Sequence, residues 1–265
     1  LPLPAPRLVM KKYQTILLFG APGSGKGTQG KILGTIPHFF HCACGDVFRS
    51  LSATNPLARI FIEYTSRGQL VPDQPTIKLW RQFIKNNERI GRFHPQTDVL
   101  VLDGIPRNLH QAEMLDGTLD VRAIFYLHCT NFNSLVQRLQ RRALKENRLD
   151  DANLDVIRHR LKVYEQETKP VLSYYGPKRV HRIDSTQAPT KVLRDILGRI
   201  DKVLRELGHF GQRYHSLREP AQFAAYYSLP EGLRDGLVER YYRSASVVTA
   251  EMHQAYAPAH VEAPK

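Results

Sequence analysis

Lys26 stands inside the run GAPGSGKG, residues 20–27, with Thr28 directly behind it. Types and spacing follow the phosphate-binding pattern G-x-x-x-x-G-K-[ST], except that Gly27 takes the place usual for Ser or Thr. Glycine costs conformational entropy inside an ordered element, so a run of glycines needs a reason. The reason is access. Side chains would block a polyphosphate, whereas bare backbone N–H groups can point at it, and the next helix can aim its positive N-terminal end at the same charge. Gly23, Ser24, Gly25, Gly27 and Thr28 are therefore candidate phosphate contacts, with Lys26 as a point charge on the outer phosphates. With no hydroxyl at position 27, a Mg²⁺ accompanying that phosphate is expected to be held more through water.

A second group of residues closes the stretch DVLVLDGIPR, residues 98–107. Asp103 ends an apolar run, and a carboxylate at the carboxyl end of a strand beside a phosphate loop can hold hydrated Mg²⁺. An isolated Asp-Gly would read more plainly as a turn or helix cap; the paired loop favours the metal. Arg107 follows four residues on and Gln111 four after that. A carboxamide carries both donor and acceptor, so Gln111 can read an adenine edge.

The elements that position these residues are legible in outline. Residues 15–19, 98–102 and 122–128 are continuous apolar runs of the kind buried on both faces, with shorter candidates at 39–43 and 179–183. Helical patterns lie between and after them, at 29–34, 75–87, 108–115, 132–145 and 154–175. Short apolar strands alternating with helices imply an α/β fold with a parallel sheet covered on both faces.

The chain carries 38 Lys plus Arg against 25 Asp plus Glu, a formal charge of +13. From residue 205 onward seven basic residues meet seven acidic ones, so the surplus belongs to residues 1–204. Such a surplus suits nucleic acid or a pocket for small polyphosphates, both densely anionic. Three cysteines, Cys42, Cys44 and Cys129, argue against a disulfide framework and for a reducing compartment, taken as a cytoplasm. Cys42-x-Cys44 lacks the partners of a metal motif and reads as small buried residues at a strand end. No apolar run approaches the roughly 20 residues of a membrane span. Residues 1–9 are Pro-rich, lack a signal-peptide core and read as a disordered leader. Beyond Gly208 Val and Ile become rare and tyrosine appears six times; 231–256 suit one or two amphipathic helices laid on the core or on another subunit.

GAPGSGKGTQ, CGDVFR, GQLVPD, LDGIPRNLHQA and RLDD, in this order, resemble the motifs of the adenylate kinase family from about Met10 to about Leu204. The resemblance implies a P-loop NTPase fold, a five-stranded parallel sheet flanked by helices. It implies a core at 10–204 with a helical nucleotide-binding flap at 43–73 and a short lid at 142–151, followed by the extension 205–265. It also implies the reaction ATP + AMP ⇌ 2 ADP with Mg²⁺. The five residues between Arg142 and Arg148 suit a short lid without zinc. Carried over by position, Gly23 to Thr28 hold the phosphates of ATP, Arg138 stacks on its adenine, Arg142 serves it from the lid, and Gln187 lies near its base. On the acceptor side stand Cys44, Arg49, Gln69, Leu70, Val71, Gly104, Arg107 and Gln111. Lys26, Arg107, Arg142, Arg148 and Arg160 would surround the transferring phosphate, and Asp103 would hold Mg²⁺ through water. Arg141 and Arg158 read as solvated helix faces. Departures are Ala43-Cys44 in place of Ser-Thr, Ile105 in place of Phe, and one residue inserted between Asp151 and Arg160; a thiol is the weaker hydrogen-bond partner.

Two rivals differ in class. UMP/CMP kinases tend to carry Ala at the place of Cys44 and Asn at that of Gln111; Gln111 favours AMP, and Cys44 is neutral. A kinase-fold protein that binds RNA or protein without catalysis is opposed by the filled charged positions. The partners implied are ATP, AMP and ADP, with no membrane and no required nucleic acid. A monomer is expected, with self-association through the tail as the open alternative.

Overall fold

The computed structural model describes residues 12–206, apart from 147, 149, 150 and 152. They fall into two compact units: residues 12–34 with 38–193, and residues 35–37 with 194–206. The sheet and every candidate site residue belong to the first. The expected leader at 1–9 and the helices expected at 231–256 lie outside the described residues.

Five parallel strands form the sheet: β1 (Tyr13–Gly20), β2 (Phe39–Ala43), β3 (Val99–Asp103), β4 (Leu119–His128) and β5 (Val180–Asp184). Their order is β2-β3-β1-β4-β5. Burial explains why these runs became strands. Ile16, Leu17, every residue from Val99 to Leu102, and Ala123 to Phe125 are fully buried, the two-faced burial of a sheet with helices on both sides. Between them stand α1 (Lys26–Leu33), α2 (Cys44–Arg49), α3 (Pro56–Ser66), α4 (Asp73–Arg89), α5 (Leu109–Asp116), α6 (Phe132–Glu146), α7 (Leu154–Val163), α8 (Val171–Tyr175) and α9 (Pro189–Glu206).

The chain leaves β1 toward β3 and β2 on one side and toward β4 and β5 on the other. The carboxyl end of β1 is thus the topological switch point, where open α/β sheets bind ligands. Register brings the chemistry there: Leu18 pairs with Asp103, Ala43 with Asp103, and Gly20 with Leu127.

The expected strands are present, with β1 and β4 longer than their apolar runs. The first helix starts at Lys26 rather than at residue 29, directly behind the loop. The helix expected over 154–175 is broken. α7 runs to Val163, a π-helical turn spans Tyr164–Thr168, and α8 begins after Pro170. Proline lacks an N–H and crowds the preceding turn, and the wider turn ahead of it absorbs the misfit.

Candidate active site

One cavity of about 640 Å³ opens over the carboxyl ends of β1 and β3. Its floor is the glycine loop. At Gly20, φ is 147°, and a Cβ there would come within 2.6 Å of both the Leu127 carbonyl oxygen and Ser24 Oγ. At Gly25 nothing crowds the position, but φ is 97°, a left-handed conformation that a side chain would strain. Ser24 is buried, and its hydroxyl has no hydrogen-bond partner.

Lys26 Nζ donates to the carbonyls of Gly20 at 2.8 Å and Ala21 at 3.1 Å, which holds the ammonium over its own loop. Burial pushes its pKa down to about 8; nearby Asp103 opposes that shift, while Arg107, Arg142 and Arg160 add to it. Opposite the loop lies Asp103. A Cβ on Gly27 would sit 3.9 Å from Asp103 Oδ2, so the carboxylate faces the place where the pattern normally carries a hydroxyl. Asp103 facing Gly27 of the loop suits a hydrated divalent cation that arrives with phosphate. Among the described residues, no three His, Cys, Asp or Glu side chains converge as a ligand set of their own.

The cationic residues are held in pairs. Asp151, fully buried, takes Arg142 through Nε at 2.7 Å and Nη2 at 2.5 Å, and takes Arg160 through Nη1. Asp46, about half exposed, takes Arg49 at 3.1 Å and Arg148 at 3.5 Å. Arg148 Nε also donates to Glu146 at 2.6 Å. Arg49 lies over the Phe61 ring at 5.3 Å, and Phe61 stacks on Phe48. Gly45 makes room for this: a Cβ there would meet Arg49 Nη1 at 2.9 Å. Arg107 Nε donates to the Gly104 carbonyl at 2.8 Å, and Arg138 Nη1 to the Ser185 carbonyl at 2.9 Å. Gly68, with φ at 73°, packs against α7; its Cβ would meet the Val156 carbonyl at 2.9 Å and Arg160 Cγ at 3.1 Å.

Most of the expected residues line this one cavity: Gly23 to Thr28, Arg49, Gln69, Leu70, Asp103, Gly104, Arg107, Arg138, Arg142, Arg148, Arg160 and Gln187. Cys44, Val71 and Gln111 stand behind its wall, 3 %, 9 % and 1 % exposed. Burial raises the Cys44 thiol to about 12, which keeps it neutral. Gln111 accepts from the Arg107 backbone N–H and donates to Asp73, both at 2.8 Å. Arg141, expected on a solvated face, is exposed, as are Lys31 and Lys145, and all three also border the cavity. Asp46 and Asp151 were not expected as site residues. Both sit inside the recognised motifs CGDVFR and RLDD, which was the one available signal. Within the stretch expected as a lid, residues 147, 149 and 150 lie outside the described residues.

The family model described as adenylate kinase matches residues 18–180. The adenylate kinase of Flavobacterium psychrophilum is 33% identical over 199 residues, covering 72% of this chain and 98% of that protein. That of Cyanothece sp. is 37% identical over 200 residues, covering 72% and 97%. That of Thermobifida fusca is 38% identical over 165 residues, covering 60% and 83%.

Proposed function

The chain belongs to the adenylate kinase family, and from that premise we propose that it transfers the terminal phosphate of ATP to AMP, reversibly, giving two ADP. The observation that carries this reading is the single cavity in which the glycine loop, Lys26, Asp103 and five arginines (Arg49, Arg107, Arg142, Arg148 and Arg160) face one space.

Phosphoryl transfer asks little covalent chemistry of the protein. Its transition state spreads charge over three equatorial oxygens, so alignment and fixed positive potential do most of the work. Two anionic nucleotides also repel each other. The loop amides and Lys26 would grip the donor phosphates, and Arg138 and Gln187 would stand at the donor base. Arg49 and Arg107 would hold the acceptor phosphate, with Gln69, Leu70, Val71 and Gln111 toward its base. Arg142, Arg148 and Arg160 would converge on the group in flight. Mg²⁺, which adenylate kinases generally use with ATP, would be held through water by Asp103 and neutralises phosphate charge.

Water must be kept from the donor. Gly68 packs the 43–73 segment onto α7 beside Arg160, so an acceptor-induced movement of that flap would reach the lid arginines directly. The lid at 142–151 would close the other side. Two adenosines tethered through five phosphates mimic both substrates at once. This molecule should bind the purified chain tightly and raise its melting temperature by many degrees. Absence of binding and of stabilisation would overturn the assignment. A coupled assay showing ADP formation from ATP and AMP completes the test.

A further inference from the structure

Asp73 is the first residue of α4, directly behind the expected flap, and it gathers three side chains from the segment 108–111. Its Oδ1 accepts from Gln111 Nε2 at 2.8 Å and from Asn108 Nδ2 at 3.0 Å, and its Oδ2 pairs with His110 Nδ1 at 2.8 Å. Asn108 Oδ1 in turn accepts from the Gln111 backbone N–H and caps α5. Burial works to raise the Asp73 pKa, but the bonds from His110, Gln111 and Asn108 outweigh it and hold the carboxyl below its ordinary value. It is therefore ionised at neutral pH and can only accept.

That fixes the orientation of the Gln111 amide. Turned the other way, Oε1 would face a carboxylate and the amide NH₂ would face the Arg107 backbone N–H, two repulsions in place of two bonds. Each end of the amide keeps one capacity unused, a donor on Nε2 and an acceptor on Oε1, side by side and in fixed order. We propose that Asp73 is a specificity-determining positioning residue. It locks Gln111 so that the acceptor site takes bases with an unprotonated ring nitrogen beside an exocyclic amino group and rejects their oxo counterparts. Adenine N1 accepts and N6 donates, which matches the locked amide. Hypoxanthine and uracil present a ring N–H beside a carbonyl, which reverses it. Cytosine, with N3 and N4, has the adenine order, so the amide separates amino from oxo bases rather than purines from pyrimidines.

The inference rests on the reading of Gln111 as the contact to the acceptor base. Because Gln111 is 1 % exposed, it includes a movement of the wall in front of that residue when the acceptor binds. The test is kcat/KM for AMP, CMP, IMP and UMP as acceptors, with ATP as donor. It uses the full chain, Asp73→Asn and Gln111→Ala. The unaltered chain should prefer AMP over IMP, and CMP over UMP, by about 100-fold or more, because a reversed base leaves buried groups unpaired. Asparagine can donate as well as accept, so Asp73→Asn removes one of the two groups that order the amide and leaves only the Arg107 backbone N–H, and the AMP-to-IMP ratio should fall about tenfold. Gln111→Ala should erase the ratio. An unchanged ratio in a folded Asp73→Asn overturns the role of Asp73. An unchanged ratio in Gln111→Ala overturns instead the reading of Gln111. If Asp73→Asn does not fold, the unaltered chain still decides: equal use of IMP and AMP, or of UMP and CMP, overturns the locked amide.

Discussion

Two carboxylates each stand between two arginines of the same cavity, and they do so in opposite ways. Asp151 is fully buried and binds Arg142 and Arg160 at close range. Asp46 is 45% exposed, and its contact to Arg148 is stretched to 3.5 Å. A buried carboxylate that has lost its water depends on its partners and cannot release them cheaply. An exposed one contributes little and gives way to a better anion. Asp151 therefore fixes two guanidiniums in place before any nucleotide arrives. Under the proposed function Asp46 would hold Arg49 and Arg148 only until a phosphate, more highly charged and bidentate toward arginine, takes them over.

The contrast breaks first at the arginines of the fixed pair. Arg160→Lys keeps a cation for Asp151 but loses the planar fork. Turnover should fall by about 10³-fold, the scale of an arginine that stabilises transferring phosphate, with a small shift in melting temperature. A loss under about tenfold would remove Arg160 from the transferring group. Asp151→Ala comes next. It leaves two buried-side guanidiniums without their counterion, and the fold should lose about 3–5 kcal/mol in denaturant unfolding. Turnover should drop with it, since neither arginine is then aimed. An unfolding midpoint near that of the unaltered chain would show that Asp151 is as dispensable as Asp46.

The lysine of the loop sharpens the contrast through pH. In the unliganded chain the Lys26 pKa is lowered to about 8 by burial, with Asp103 opposing and three arginines assisting. Above that value the amine is neutral and attracts no phosphate. Therefore kcat/KM for ATP should fall up to about tenfold per unit as pH rises past 8. Bound polyphosphate favours the cation, so the fall in kcat itself should lie at higher pH. The stability effect has the opposite sign. The folded chain binds fewer protons than the unfolded one between about 8 and the ordinary lysine range. Stability from this group therefore rises with pH across that window and is lost as pH falls through about 8. A flat kcat/KM profile from pH 7 to 9 would exclude Lys26 as the controlling charge.

Legibility of the site followed the kind of constraint each residue obeys. The loop was readable because a need for bare backbone writes itself as glycine at fixed spacing behind an apolar run. Asp103 was readable because it ends the next buried strand. Asp151 was not: within RLDDAN it looks like any solvated charge, and only the fold shows that the two arginines meeting it are nine residues away on either side. Arg141 was separated from Arg142 only by the motif resemblance, since adjacent helical arginines differ in what the helix faces; Arg141 is exposed and Arg142 is half-buried against Asp151. Helix α2, in the stretch expected as a flap, spans six residues, too few for a hydrophobic period to register. Gln111 carried the right chemistry in sequence, yet its burial and its dependence on Asp73, 38 residues away, are tertiary facts.

The smallest expected effect is the most informative about the exchangeable pair. Asp46→Asn keeps the shape of the side chain and removes its charge. Because the contacts are exposed, the change in stability should stay within about 0.5 kcal/mol. Arg49 and Arg148 would then enter the cavity without a competing carboxylate, so the KM for AMP should stay level or fall by up to about threefold, with kcat nearly unchanged. Salt gives the second arm. Screening weakens surface pairs, so the difference between the two chains should shrink as ionic strength rises from 0.01 to 1 M. A loss of stability on the scale of Asp151→Ala would mean that Asp46 is as firmly engaged as its buried counterpart. A rise in KM for AMP would mean that it orients Arg49 and Arg148 rather than competing for them.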